Sequence, residues 1–293
     1  MLKKLVLLFG LLCAACSSEA PAPTVDRIVT VGGDVTEIVY ALGAGDRVVA
    51  TDSTSVYPAE AAATEKVGYV RRLSAEGVLG TNPELILISG AAGPEEALEQ
   101  LRGVGIDIVE MEADYSIEGI IAKVRRVAEA IGESERGEDL VAKIEADWAL
   151  AQAEIAKFPS PPSALFFTTL RDGVPQAAGK ETAANGVIEL LGAENLFASQ
   201  NGYTAISTEA AVAADPDMIL VMSHEAERGG GVESLTSNSA IALTDAVTSD
   251  RVYVVDSVRI MQFGPRTPEA VSELTKQIAQ ADVSGDGSAP NGS

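Results

Sequence analysis

The chain has 293 residues, a single histidine, two cysteines and a formal net charge of −22. A surface with this much negative charge repels nucleic acids and anionic membranes, which excludes a nucleic-acid-binding protein. Both cysteines lie within the first 16 residues, so the remainder of the chain contains neither a disulfide nor thiol chemistry.

The N-terminus has the pattern of a secretory leader. Lys3 and Lys4 precede an apolar run at 5–15, which is shorter than the ~20 residues that cross a bilayer as a helix. Small residues before Cys16 resemble a bacterial lipobox with Cys16 as the lipidated residue, but Cys13 replaces the usual leucine. A lipid-anchored form and a free periplasmic form therefore both stay open. We predict a signal peptide and lipobox at 1–16 and a Ser/Pro/Ala-rich tether at 17–24.

Short apolar runs alternate with helical patterns through the next segment of the chain. This alternation predicts a mainly parallel sheet covered by helices on both faces, and we assign residues 25–115 to an N-terminal α/β lobe. The predicted strands are Arg27–Val31, Arg47–Thr51, Leu85–Ser89 and Ile106–Met111, and the predicted helices are Thr36–Leu42 and Pro94–Arg102.

The periodicity changes at residue 116. Ile117–Ile131 has apolar residues at helical spacing, with the basic residues Lys123, Arg125 and Arg126 on the opposite face. Ser134–Phe158 follows as one long predicted helix that prolines terminate. We therefore predict a helical linker at 116–159.

The alternation of strands and helices resumes after the prolines. The fold class is α/β, with two Rossmann-like lobes of mainly parallel sheets joined by one long helix. The second lobe covers 160–281, and a disordered Gly/Ser-rich tail covers 282–293. In this lobe we predict strands at Leu165–Thr169, Met218–Ser223 and Val252–Val255, and helices at Ala183–Leu191 and Pro268–Ala281.

Two segments of the chain match each other position by position. Leu73–Ile88 aligns with Ile206–Val221, and a Gly-Tyr pair precedes each copy, at Tyr69 and Tyr203. In each copy a serine, Ser74 or Ser207, is placed to cap a short helix, and a proline precedes a buried strand. The repeat predicts two similar lobes that arose by duplication.

The carboxyl ends of the predicted strands indicate a ligand site, because parallel α/β sheets bind ligands beyond these ends. Two lobes that face each other across one cleft are typical of a binding protein. The cleft is expected at 32–35, 52–57, 90–94, 112–115, 170–175, 224–231 and 257–265.

Sequence signatures of catalysis are scarce. The chain contains neither H-E-x-x-H nor G-x-S-x-G, and a single histidine limits triad chemistry. A free metal-ion site would need several converging histidines and carboxylates. We therefore predict a protein that is not an enzyme and has no catalytic cofactor.

The leader, the two α/β lobes and the single long helix resemble the helix-linked (class III) substrate-binding proteins of ABC importers. That group takes cobalamin, ferric siderophores, haem and some metals, and the resemblance covers about residues 27–280. Segments that resemble the haem-binding branch are found in both lobes, at 52–58, 67–77, 222–224, 229–233 and 263–270.

The resemblance implies a periplasmic, monomeric protein that captures ferric haem as a transported ligand. It would deliver the haem to an inner-membrane permease dimer with its ATPase, and would meet the membrane only through the lipid anchor. Another iron or cobalt chelate, a ferric siderophore or cobalamin, stays open as the alternative ligand.

In the haem-binding branch the tyrosine of the Gly-Tyr-x-Arg motif is the axial iron ligand, a role that the resemblance carries to Tyr69. Arg71 and Arg72 would favour the phenolate and pair with haem propionates. A buried tyrosine with surface arginines is the alternative interpretation. The segment 168–171 lacks the histidine that some relatives use. The other expected haem contacts are Arg228, His224, Arg259 and Met261.

Glu76 and Glu209 begin a short helix at equivalent places in the two copies of the repeat. The resemblance implies that each carboxylate docks onto arginines of the permease. The dipole of the helix N-terminus gives each carboxylate an alternative role in capping.

Overall fold

The computed structural model describes residues 25–171, 174–223, 232 and 241–285. The first sheet contains five strands in the order β3-β2-β1-β6-β7, and every neighbouring pair is parallel. Two short strands, β4 and β5, form a separate antiparallel hairpin. In chain order the strands of this half are β1 (Ile28–Val31), β2 (Val48–Thr51), β3 (Glu65–Lys66), β4 (Gly68–Tyr69), β5 (Arg72–Leu73), β6 (Leu85–Ile88) and β7 (Asp107–Glu110).

The second sheet is mixed. Its main path is β11-β9-β8-β12-β13, with β10 paired to the start of β8. Strand β9 runs antiparallel to both of its neighbours, and the remaining pairs are parallel. The strands are β8 (Ser163–Arg171), β9 (Val174–Ala178), β10 (Glu194–Asn195), β11 (Tyr203–Ala205), β12 (Met218–Met222) and β13 (Val252–Val255).

Helices cover both faces of the two sheets, as the alternation predicts for a mainly parallel architecture. One apolar core continues from the first lobe through the linker helices into the second lobe, and two smaller cores fill the outer faces. The helices of the described residues are α1 (Gly33–Ala41), α2 (Ala59–Ala62), α3 (Ala75–Leu79), α4 (Glu95–Arg102), α5 (Ile117–Ile131), α6 (Ser134–Ile155), α7 (Ala183–Leu190), α8 (Thr208–Ala214), α9 (Asp245–Thr248) and α10 (Thr267–Gly285).

The linker is built from α5 and α6. Helix α5 has the predicted bounds, and Gly132 ends it in the left-handed conformation, with φ of +76°, which a glycine adopts without strain. Helix α6 ends at Ile155, before the predicted Phe158, and buries Val141, Ile144 and Ala151. It packs against both α5 and α10, so the C-terminal helix braces the linker.

Both copies of the repeat contain a short serine-capped helix followed by a buried strand. Ser74 caps α3 by accepting the Gly77 amide, and Ser207 caps α8 by accepting the Ala210 amide. The strand that follows, β6 or β12, lies next to the first strand of its sheet, β1 or β8. Equivalent positions in both sheets support the prediction of duplicated lobes.

In each copy of the repeat the proline is followed by an acidic residue, and the two acidic residues make equivalent hydrogen bonds, which also supports duplicated lobes. Glu84 accepts a hydrogen bond from the Asp26 amide at 2.8 Å, and Asp217 accepts one from the Ser163 amide at 2.7 Å. The bonds from the Ser163 amide and hydroxyl lower the pKa of the Asp217 carboxyl below its ordinary value. Each carboxylate therefore holds the chain at the entry to the first strand of its lobe.

Some predictions concern residues outside the described part of the chain. The leader at 1–16, including Cys16, and the tether at 17–24 lie there. Helix α10 continues to Gly285, past the expected start of the tail at 282, and 286–293 are not described. Within the described ranges, no helix combines the length and apolar character needed to span a bilayer.

Candidate functional site

A cavity of about 1020 Å³ lies between the two lobes. Its walls come from the carboxyl ends of strands in both sheets, where the sequence predicts the cleft. The first lobe contributes Gly32, Gly33, Asp34, Thr54, Tyr69, Val70, Arg71, Arg72, Ser89, Gly90, Ala91, Glu112, Ala113, Asp114 and Tyr115, and helix α5 of the linker contributes Lys123. The second lobe contributes Thr168, Gln176, Ala183, Tyr203, Met222, Met261, Gln262 and Phe263.

The β4–β5 hairpin presents Tyr69 to this cavity. Val70 and Leu73 of the hairpin are buried, whereas Tyr69 is 41% exposed. Tyr69 ends β4, and Val70 and Arg71 form the turn to β5, where Val70 is buried and Arg71 is exposed. Tyr69 is therefore not a buried packing residue, and the structure excludes that alternative.

Backbone hydrogen bonds fix the hairpin on both sides. The Ser53 amide donates to the Gly68 carbonyl at 2.7 Å, and the Gly93 amide donates to the Val70 carbonyl at 2.9 Å. Gly68 has φ of +115°, a conformation that favours glycine. The position of the tyrosine is thus set by the loops after β2 and β6.

Two guanidinium groups lie beside Tyr69. The central carbon of the Arg72 guanidinium is 5.9 Å from the centroid of the Tyr69 ring, within the range of a cation–π contact. Arg71 lines the cavity from the turn between β4 and β5.

Tyr203, on the edge strand β11, lines the opposite wall of the cavity. It is 38% exposed, but its hydroxyl end lies against the N-terminus of α7. Burial raises the pKa of the Tyr203 phenol above its ordinary value, against smaller opposing effects of the Ala184 amide, the Arg71 charge and the Thr182 hydroxyl. The repeat thus places one tyrosine from each lobe at the same cavity.

The structure brings together some of the other predicted contacts and not all of them. Met261 lines the cavity, as expected. Arg259 is not among the described residues that line the cavity, so the prediction that it contacts the ligand is wrong. Its guanidinium turns to α10, where it bonds to Glu273 at 2.7 Å and lies 3.6 Å from Glu269. His224 and Arg228 lie outside the described residues.

A buried ion pair forms the floor of the cavity. The Lys123 ammonium donates to the Asp34 carboxylate and, at 3.2 Å, to the Phe263 carbonyl. The sequence predicts Lys123 on the exposed face of its helix, and this prediction is wrong because Lys123 is only 6% exposed. Asp34 also accepts a bond from the Ser89 hydroxyl at 3.0 Å.

Polar contacts join the lobes beside the cavity. The Arg266 guanidinium makes a two-pronged bond to the Glu37 carboxylate, at 3.0 and 2.8 Å, and stacks 3.4 Å from the centroid of the Tyr57 ring. The Gln262 side-chain amide donates to the Thr54 carbonyl at 3.1 Å. These bonds hold the loop after β13 against the first lobe.

Glu76 and Glu209 are exposed in the first turns of α3 and α8. The Glu209 backbone amide and the Ser207 hydroxyl lower the pKa of the Glu209 carboxyl below its ordinary value, which is the signature of a helix cap. Glu76 lies beside a shallow groove with Leu79 and Val104 in its floor. Among the described residues, no group of three or more His, Cys, Asp or Glu side chains could hold a metal ion.

Two mainly parallel α/β lobes, one long connecting helix and a cavity between the lobes define a class III solute-binding protein. Residues 28–258 match the model of the family described as periplasmic binding protein, and the chain belongs to that family. Members of this family bind substrates for transport, so the protein is not an enzyme.

Individual proteins are also similar to this chain. The fold is similar to the apo structure of the periplasmic heme-binding protein RhuT from Roseiflexus sp. RS-1, with 37% identity and a TM-score of 0.82 over 88% of this chain and 99% of that one. The uncharacterized ABC transporter substrate-binding lipoprotein YvrC of Bacillus subtilis (strain 168) is 31% identical over 256 residues, 86% of this chain and 79% of the relative. A vitamin B12-binding protein of Vibrio parahaemolyticus serotype O3:K6 (strain RIMD 2210633) is 25% identical over 256 residues, 87% of this chain and 90% of the relative.

Proposed function

We propose that this protein is the substrate-binding protein of an ABC importer and that it captures ferric haem in the inter-lobe cavity. The observation that carries the proposal is Tyr69, exposed to the cavity on a fixed hairpin and flanked by Arg71 and Arg72. Similarity to the heme-binding protein RhuT supports the same ligand.

The chemistry of Tyr69 suits ferric iron. Fe³⁺ is a hard cation that favours an anionic oxygen ligand, but a free tyrosine has a pKa of about 10 and is protonated at neutral pH. The charge of the bound iron would itself favour the phenolate. The guanidinium groups of Arg71 and Arg72 can pair with the propionates, because arginine binds carboxylates with two parallel hydrogen bonds.

The cavity has the dimensions of a site for a cofactor-sized ligand. Its volume of about 1020 Å³ is at the upper end of the range of small-molecule pockets, roughly 300–1000 Å³. Tyr115, Met222 and Met261, which are half-buried, add apolar surface to its walls. A macrocycle with an apolar face and anionic substituents matches this lining.

A second candidate ligand is cobalamin or a ferric siderophore. The similarity to a vitamin B12-binding protein favours cobalamin, since it extends over 87% of the chain. Cobalamin offers no carboxylates to pair with Arg71 and Arg72, and its cobalt does not require a phenolate. The phenol with two adjacent cations therefore supports haem over cobalamin.

An absorption titration of the purified protein tests this proposal. We expect saturable binding of ferric haem with a tyrosinate-type visible spectrum, and no displacement by an equimolar amount of cyanocobalamin or a ferric hydroxamate siderophore. Saturable binding of cobalamin or of the siderophore, with no specific haem spectrum, would reject haem in favour of the second candidate.

We further propose that Glu76 and Glu209 dock onto basic residues of a dimeric permease that works with an ATPase. Both carboxylates are exposed, at equivalent places in the duplicated lobes, so a symmetric permease could contact both. Exposed charges of this kind chiefly steer association and fix orientation. The apolar floor next to Glu76 would add contact area on the first lobe.

Combined replacement of Glu76 and Glu209 by alanine is expected to abolish stimulation of the permease-associated ATPase while haem binding is retained. The readout is ATP hydrolysis by the cognate transporter in proteoliposomes. Glu118→Ala is the matched control, because Glu118 is also exposed in the first turn of a serine-capped helix, α5. Unchanged stimulation by the double variant would leave both glutamates as helix caps only.

Further proposals concern the N-terminus, the domain boundaries, the oligomeric state and two more haem contacts. We propose export to the periplasm with cleavage before Cys16, and lipidation of Cys16, in line with the lipoprotein name of the Bacillus subtilis relative. The segments 25–115, 116–159 and 160–281 are proposed as first lobe, linker and second lobe of a monomer. His224 and Arg228 are proposed as further haem contacts.

A further inference from the structure

Tyr203 occupies the wall of the cavity opposite Tyr69, and the two tyrosines occur at corresponding places in the duplicated lobes. Tyr203 begins β11, which pairs antiparallel with β9 through Tyr203 and Ala178. Both tyrosines are similarly exposed, 41% for Tyr69 and 38% for Tyr203. Position and exposure alone would give them the same role.

The surroundings of the two hydroxyl groups differ. The Tyr203 hydroxyl end lies against the Ala184 amide and the Thr182 hydroxyl, both at the N-terminus of α7. Thr182 is itself fixed, since it donates to the Gly179 carbonyl at 2.8 Å and accepts the Asn185 amide at 3.0 Å. The Tyr203 hydroxyl is thus surrounded by polar groups of its own lobe, at the start of α7.

A phenol held in this way is a poor iron ligand. Burial has the largest effect on its pKa and disfavours the phenolate that ferric iron requires, against the smaller opposing effects of the Ala184 amide, the Arg71 charge and the Thr182 hydroxyl. Its ring nevertheless lines the cavity together with Tyr115, which packs against the buried Phe263 with the ring centroids 5.2 Å apart in a tilted arrangement. What Tyr203 offers to a ligand is therefore aromatic surface.

We propose that Tyr203 is a specificity-determining residue that packs its ring against the planar face of the macrocycle, opposite the face that Tyr69 ligates. The proposal rests on the haem function proposed above. It divides recognition between the lobes: the first lobe recognises the metal and the carboxylates, and the second lobe recognises the flat aromatic ring system. Aromatic rings contribute both buried area and a preferred stacking geometry to such a contact.

Binding of metal-free protoporphyrin IX separates ring packing by Tyr203 from iron ligation by Tyr69, because this probe has the macrocycle and the propionates but no iron. We expect Tyr203→Ala to weaken binding of protoporphyrin IX and of ferric haem alike, by about tenfold or more. The visible spectrum of bound ferric haem should keep its tyrosinate character. Tyr203→Phe, which keeps the ring, should bind both probes within about twofold of the unaltered protein.

The Tyr69→Phe variant gives the opposite pattern, with the tyrosinate spectrum lost and the affinity for protoporphyrin IX retained. Fluorescence titration of protoporphyrin IX and absorption titration of haem provide the data, with thermal unfolding as the check on folding. Should Tyr203→Ala not fold, Tyr203→Leu removes the aromatic ring while keeping apolar volume, and the same weakening is expected.

Two results would overturn the proposal for Tyr203 alone. One is unchanged affinity for protoporphyrin IX in the alanine or leucine variant. The other is a changed haem spectrum in Tyr203→Phe, which would make the hydroxyl an iron ligand. Failure of the unaltered protein to bind either probe would instead reject the haem function, and the proposal for Tyr203 with it.

Discussion

Replacement of Tyr69 by phenylalanine is expected to abolish the tyrosinate absorption of bound ferric haem and to lower haem affinity by about 100-fold or more. Loss of a group that only orients a metal ligand typically costs 10–100-fold, and loss of the ligand itself should cost at least as much. The hairpin backbone and the buried Val70 and Leu73 are unaffected, so the site should keep its shape. Absorption titration of the variant with haem measures both effects.

Tyr57→Phe is the matched control for this experiment. Tyr57 is 44% exposed, close to the value for Tyr69, but it stacks against Arg266 and is not among the described residues that line the cavity. Its hydroxyl is expected to be dispensable for both the spectrum and the affinity. A Tyr69→Phe variant that behaves like the control would show that another residue ligates the iron.

Replacement of Lys123 by methionine is expected to lower the free energy of unfolding by about 3–5 kcal/mol. Removing one partner of a buried ion pair leaves the other charge buried and unpaired, which costs roughly that amount. Asp34 is buried, with 5% exposure. It would keep its hydrogen bond from the Ser89 hydroxyl but lose Lys123, the one positively charged group that bonds to it among the described residues. Urea unfolding followed by circular dichroism measures the change.

Lys143→Met provides the comparison with an exposed pair. Lys143 bonds to Asp147 one turn away on α6 and is 65% exposed, so its loss should change the free energy of unfolding by about 0.5 kcal/mol or less. Equal effects of the Lys123 and Lys143 substitutions would mean that the Asp34–Lys123 pair does not stabilise the folded protein.

The elements with strong local patterns could be predicted from the sequence. Buried parallel strands such as Leu85–Ile88 are continuous apolar runs, and α5 combines regular apolar spacing with a serine cap and a terminal glycine. Strand β9 was not predictable in this way, because its sequence VPQAA contains a proline and lacks alternation. Its strand character comes from pairing with β8 and β11.

Site residues that belong to a local sequence motif could be predicted, whereas those whose position depends on contacts with distant residues could not. The Gly-Tyr-x-Arg motif was sufficient to single out Tyr69. Periodicity put Lys123 on the outer face of α5 because the sequence does not indicate that Asp34, 89 residues away, provides a buried counter-charge. Arg259 follows β13 as predicted for a cleft residue, but Glu269 and Glu273 on α10 attract its side chain away.

For Tyr203 the sequence repeat predicts the position but not the role of the side chain. The second Gly-Tyr pair marked its position, but its distinct role depends on contacts with Thr182 and Ala184, which belong to another element. Duplication therefore predicts that the two tyrosines occupy equivalent positions in the two lobes. The role of each tyrosine depends on the residues that surround its side chain.

A crystal structure of the protein with ferric haem would test the central claim most directly. We predict a single location for the macrocycle, between the lobes, with the iron bonded to the phenolate oxygen of Tyr69 and the propionates near Arg71 or Arg72. Haem bound elsewhere on the surface, or iron ligated by a residue other than Tyr69, would contradict this account.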